Sequence, residues 1–87
     1  MKKPALSNSS TARERISENL KRLRKEMRLS QEKTAELADF HRTYVSQLER
    51  RVTNVSIDGL ERLASALGVD IQELLKPVDS KDGSPIP

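Results

Sequence analysis

The 87-residue sequence predicts an all-α domain of five short helices, and three observations lead there. Apolar residues recur at spacings of three and four from Ile16 to Leu75, the period of amphipathic helices. No segment alternates apolar and polar residues with the period of two that a half-buried strand requires. Residues suited to start a helix, Thr11, Ser30, Ser56 and Asp70, punctuate the chain every few turns, and no internal repeat is present.

Thr11 and Glu14 have the spacing of a capping box, and Ile16, Leu20, Leu23 and Met27 form one apolar stripe of a first helix. Ser30 is suited to cap a second helix, Gln31 to Ala38, whose Ala35 and Ala38 are small enough to let another helix approach closely. After Asp39, a third helix runs from about Arg42 to Arg50 with Val45 and Leu48 facing inward. Ser56 opens a fourth with Leu60, Leu63, Ala64 and Leu67, and Val55 and Leu60 have the spacing of a hydrophobic staple. Gly68 ends that helix, since glycine takes the left-handed conformation without steric cost. Asp70 and Glu73 repeat the capping-box spacing for a short fifth helix with Ile71 and Leu75 apolar and Val69 and Leu74 as its staple; Pro77 prevents its extension. Residues 1–10 and 77–87 have little to bury and are expected to be disordered, leaving 11–76 as the domain.

A domain of this size buries only roughly 60% of its unfolded surface, so a partner subunit would add stability. The absence of cysteine excludes disulfides, thiolate metal sites and cysteine nucleophiles, and a single histidine offers no metal set. No glycine-rich phosphate loop or Ser-His-Asp set is present, which argues against an enzyme and implies no cofactor. With only Phe40 and Tyr44 as aromatics the chain lacks stacking platforms for single-stranded RNA, and Phe40 is expected in the core. No apolar run is long enough to span a bilayer, and the start lacks the apolar stretch of a secretion signal, so a cytoplasmic protein without a membrane partner is expected. The net charge of +3 is uninformative as a sum, but seven basic residues against three acidic ones lie between Arg13 and Arg28.

Two short helices joined by a tight turn form a compact pair, and the second places Arg42, Thr43, Ser46 and Gln47 together near its N-terminal end. These hydrogen-bonding side chains suit entry into a DNA major groove. Arg42 can fork onto guanine O6 and N7, Gln47 can pair with adenine N6 and N7, and the Thr43 methyl can touch a thymine methyl, with Ser46 on the same face. Gln31 opens the second helix, where a phosphate can meet free backbone N–H groups, and Thr53 and Asn54 in the later loop can clasp a phosphate on the other side. Tyr44 has two roles open to it, stacking on the second helix or reaching a phosphate or base. His41 can cap the third helix or touch the backbone, and Glu49 is expected to pair within the domain, away from DNA.

The segments SQEKTAELADFHRTYVSQLERR and TNVSIDGLERLASALGVDIQELL resemble the Cro and phage-repressor (XRE-type) helix-turn-helix family over about residues 16 to 75. The specific parts are Ser30-Gln31-Glu32, Ala35, Tyr44-Val45-Ser46, Leu48-Glu49-Arg50 and Leu63-Ala64 through Val69. Within that family RTYVSQLER resembles the controller proteins of bacterial restriction-modification genes. The resemblance implies a lambda-repressor-like fold in a bacterial or phage cytoplasm, binding double-stranded DNA without a small-molecule effector, and control of its own promoter. The chain departs from the family pattern at Thr34 (usually leucine), Asp39 (commonly glycine), and Arg51 and Val55 (often glycine and proline). If Arg51 takes the glycine-like conformation it costs about 1 kcal/mol or more.

A single short helix reads few base pairs, so a homodimer on a pseudo-palindromic operator is expected. Leu67, Val69, Ile71, Leu74 and Leu75 exceed what a thin terminal helix needs, and some of them are expected at the subunit contact; periodicity does not separate core from interface. The rival reading is a protein-interaction module, such as an antitoxin or coactivator, using the same fold.

Overall fold

A computed structural model describes residues 10–78 and arranges them as α1 (Ala12–Glu26), α2 (Gln31–Ala38), α3 (Arg42–Glu49), α4 (Ile57–Leu67) and α5 (Ile71–Leu74). The capping box at α1 is complete: Thr11 Oγ1 accepts from the Glu14 N–H at 3.1 Å, and Glu14 Oε1 accepts from the Thr11 N–H at 3.0 Å. Ser30 and Ser56 accept from the backbone N–H groups of Lys33 and Gly59 three positions on, each satisfying a donor that has no partner inside its helix. Asp70 also caps, but it accepts from Gln72 two positions on, and the capping box expected with Glu73 does not form: the Glu73 carboxylate faces Arg22 and Lys76 instead. His41 stands at the N-cap of α3 but makes no side-chain cap bond, so the capping role open to it is not taken.

The four longer helices all close in the same way. Arg28, Asp39, Arg51 and Gly68 each take a left-handed conformation, with φ of 58°, 62°, 64° and 69°. The N–H of the following residue then reaches back five positions, Leu29 to Arg24, Phe40 to Ala35, Val52 to Gln47 and Val69 to Ala64, at 2.8–3.0 Å. These are Schellman closures, in which a left-handed residue lets the chain turn back over its own last carbonyls. Gly68 was expected to be left-handed, and Asp39 and Arg51 stand where the family pattern commonly has glycine; Arg28 carried no such sign.

Leu20, Leu23, Ala35, Ala38, Val45, Leu48, Leu60, Leu63, Ala64, Leu67 and Leu74 form the buried core, with Ile16, Leu29, Phe40, Tyr44, Val55, Val69, Ile71 and Leu75 packed on its margin. The small Ala35 and Ala38 lie on α2, which packs on α3 and α4, while α1 packs on α3 and α5. Met27 departs from its expected place in the stripe: α1 ends at Glu26, the chain turns at Arg28, and Met27 is left 39% exposed.

Two buried polar residues join the helices. Ser17 donates to the Glu49 carbonyl at 2.8 Å, and Asn19 Nδ2 donates to the carbonyls of Leu74 at 3.1 Å and Lys76 at 3.0 Å, which closes the C-terminal end of α5 onto α1. Thr34, where leucine is usual, has no exposed surface and donates to the Ser30 carbonyl at 2.9 Å, so its hydroxyl is buried at little cost. Ser10 is buried and its Oγ accepts from Arg15 Nε at 2.9 Å and from the Val78 N–H at 3.3 Å, so the folded part extends slightly past the expected limits at both ends. The remainder of the two tails expected to be disordered lies outside the described residues.

Candidate nucleic-acid interface

The α2–α3 pair is held by two devices, one on each side. On the inner side the Glu49 carboxylate accepts from Arg24 Nε at 2.7 Å and Nη2 at 3.0 Å, and from Gln31 Nε2 at 3.0 Å. Glu49 is only 6% exposed, and Arg24 also donates to the Leu29 carbonyl at 2.9 Å, so α1, the turn after it, α2 and α3 meet at one satisfied carboxylate. This is the internal pairing expected of Glu49: a free carboxylate on the outer face would repel phosphate.

The second device is Arg62, which sequence reading missed. From α4 its Nε donates to the Ala38 carbonyl at 3.1 Å and its Nη2 donates to the Asp39 carbonyl, while the guanidinium lies 4.2 Å above the centre of the Phe40 ring. Arg62 therefore caps the end of α2 and grips the turn into α3. It carries no sequence signature, because its acceptors are backbone carbonyls 24 and 23 positions away. Phe40, half-buried beneath it, meets Tyr44 edge-on with ring centroids 4.8 Å apart.

Val45, Leu48 and Glu49 point α3 inward, which turns Thr43, Ser46, Gln47 and Arg50 outward with Arg42 at their edge. The structure brings the four expected base readers onto one side of the helix, and none of their side chains makes a hydrogen bond to another described residue. Arg42, Thr43, Ser46 and Arg50 share a concavity with Gln31. Arg50, not among the expected residues, lies on the same side: it stands two helical turns after Thr43, a periodicity that could have identified it in the sequence.

The expected backbone-contact residues divide between the two flanks. Gln31 and Arg42 line one flank with Ser30 and Glu32. Tyr44, Thr53 and Asn54 occupy the other, where the Tyr44 hydroxyl donates to the Asn54 carbonyl at 2.7 Å. Tyr44 thus has both its ring and its hydroxyl engaged, and burial raises the phenol's pKa above its ordinary value despite the opposing charge of Arg62. Arg51, strained in its left-handed conformation, is tied to the Glu18 carboxylate. Burial alone would raise the Glu18 pKa, but the hydrogen bonds and charges of Arg51 and Lys21 outweigh it and hold the group below the ordinary carboxylate range.

The five residues expected at a subunit contact also divide. Leu67 and Leu74 are 4% and 0% exposed and belong to the chain's own core, so they have no surface to offer a partner. Val69, Ile71 and Leu75 lie at the core margin and keep part of their surface outward. Leu74 is drawn in because the bond from Asn19 pins the last turn of α5 against α1.

The helix-turn-helix family HTH_3 matches residues 20–74, which take in all of α2, α3 and α4. Control protein C.MunI of a Mycoplasma species is 40% identical over 68 residues, 77% of this chain and 92% of that protein. Control protein C.BamHI of Bacillus amyloliquefaciens is 51% identical over 47 residues, 54% of this chain and 58% of that protein. Among solved structures, the hypothetical transcription factor NHTF from Neisseria superposes with a TM-score of 0.74 at 32% identity, covering 87% of this chain and 91% of its own. The restriction-modification controller protein C.AhdI from Aeromonas hydrophila gives a TM-score of 0.67 at 38% identity, covering 69% of this chain and 91% of its own. With the turn, the buried anchor and the outward polar face of α3 all in place, the chain belongs to the helix-turn-helix family HTH_3 and is a DNA-binding regulator of transcription.

Proposed function

We propose that the chain is a homodimeric controller that binds a pseudo-palindromic operator in its own upstream region and sets the timing of a neighbouring gene. The observation that carries this reading is the outer face of α3, where Arg42, Thr43, Ser46 and Gln47 are grouped, accessible and uncommitted within the described fold. Arg42 reads guanine, Gln47 reads adenine and the Thr43 methyl contacts thymine, with Ser46 assisting, while Gln31, Thr53 and Asn54 position the helix through the phosphates. Tyr44 serves that contact by holding Asn54, since its one O–H is given to the Asn54 carbonyl. The subunits meet through Val69, Ile71 and Leu75. Similarity to proteins named as restriction-modification controllers supports the timing role.

Mass action supplies the switch. If subunits associate weakly and only the dimer binds tightly, operator occupancy rises roughly as the square of monomer concentration at low levels, which delays the response. A reporter fused to the gene's own upstream region, read at several protein levels, tests this. The expected response steepens with protein concentration; a flat response, with specific binding confined to unrelated promoters, contradicts it.

A further inference from the structure

We propose that Arg13, in the first turn of α1, is a DNA-backbone ligand that completes a phosphate clamp with Thr53 and Asn54 on the flank of α3 opposite Gln31. The inference rests on the DNA-binding reading above and adds to it a residue from a helix outside the α2–α3 pair. A major groove about 12 Å wide has a phosphate strand along each side, so a helix lying in it is flanked by two rows of anions. The Gln31 flank is lined by Arg24, whose charge is spent on Glu49, and by Arg42 at the edge of the reading face. On the other flank Tyr44, Thr53 and Asn54 are neutral, and Arg13 is the cation placed to serve them.

Three observations place it there. Arg13 Nη2 donates to Asn54 Oδ1 across 41 positions of chain. Asn54 is itself fastened to α3, because its carbonyl accepts from the Tyr44 hydroxyl at 2.7 Å. Arg13, Thr53 and Asn54 also line one concavity whose apolar wall includes Ile16, Leu48 and Val55. The guanidinium is therefore held at the edge of the reading face.

Its chemistry suits the role. Arg13 is exposed and forms no ion pair among the described residues, whereas Arg22, Arg24, Arg51 and Arg62 each face a carboxylate. Guanidinium has five N–H donors, so one bond to Asn54 leaves a fork free for a phosphate. Because Asn54 presents its oxygen to Arg13, its amide N–H groups point elsewhere and are free to donate to the same anion.

The test measures equilibrium binding to duplex DNA selected by the wild-type protein, and to an unrelated duplex, at several salt concentrations. Wild type, Arg13→Gln and Arg13→Lys are compared, with thermal melting as a check on folding. Removing one phosphate-neutralising cation per subunit, and so two per bound dimer, is expected to lower the steepness of log K against log salt by about 1.8 and to weaken both duplexes by a common factor of about tenfold per subunit at moderate salt. Arg13→Lys should recover the slope. A purely structural Arg13 would leave the slope at its wild-type value in Arg13→Gln, and that result overturns the inference alone. Absence of any duplex binding by the wild type overturns it together with the reading on which it rests.

Discussion

Glu49 shows how much one side chain can commit. Its carboxylate is almost fully desolvated and is matched by two bonds from Arg24 and one from Gln31. Removing one partner of such a pair leaves an uncompensated buried charge, so Arg24→Ala is expected to cost about 3–5 kcal/mol, measured by urea unfolding. A second residue gives a pH signature. The Glu18 pKa is lowered in the folded state, so its contribution to stability is present above the unfolded carboxylate value of 4.5 and is lost as pH falls through the lower folded value. Arg51→Ala should therefore flatten the acid limb of the stability–pH curve, followed by thermal melting between neutral pH and pH 3. Residues whose partners are set by chemical incompatibility were readable in advance: a carboxylate at the end of a DNA-reading helix has to turn inward, as Glu49 does. Arg62 was not readable, because an arginine that donates to backbone carbonyls leaves no pattern in the side chains it serves. His41 was ambiguous for the opposite reason, since imidazole suits several roles and sequence alone does not rank them.

Helix starts and helix ends differ in how they are encoded. Starts are written in side chains, and Thr11, Ser30, Ser56 and Asp70 all cap, though Asp70 does so through Gln72 and without the box expected with Glu73. Ends are written in backbone conformation, which glycine announces at Gly68 but arginine hides at Arg28. Because the left-handed conformation costs a non-glycine residue roughly 1–2 kcal/mol and glycine's extra chain entropy offsets about half of that, Arg28→Gly is expected to stabilise the domain by up to about 1 kcal/mol. A raised midpoint in thermal or urea unfolding would register it. The turn between α2 and α3 depends on a neighbouring element. Arg62→Met keeps much of the stem that covers Phe40 but removes the donors to the Ala38 and Asp39 carbonyls, so a loss of about 1–2 kcal/mol is expected. Hydrogen exchange should localise the effect, with faster exchange at the Asp39 and Phe40 amides than at Leu20 or Leu23 in α1.

At the scale of the whole molecule, the proposed dimer requires apolar surface that the core does not use, and periodicity could not say which apolar residues the core takes. Burial separates them: Leu74 is internal and Ile71 is at the margin. Leu74→Ala should destabilise the protomer by about 2–5 kcal/mol, whereas Ile71→Glu should leave the fold intact and shift sedimentation from dimer to monomer at tens of micromolar protein. A two-fold dimer places its reading helices about 34–36 Å apart on one face of the duplex. Whether α3 reads base sequence through Arg42 and Gln47 is decided by selecting DNA from a random library with the wild type and with Arg42→Ala and Gln47→Ala. The expected result is a pseudo-palindromic site whose half-sites are centred about one helical turn apart, with each variant losing about 1–3 kcal/mol and relaxing its preference at one base pair per half-site. Enrichment of no sequence by the wild type, or a loss in both variants that is equal on every sequence, would contradict it.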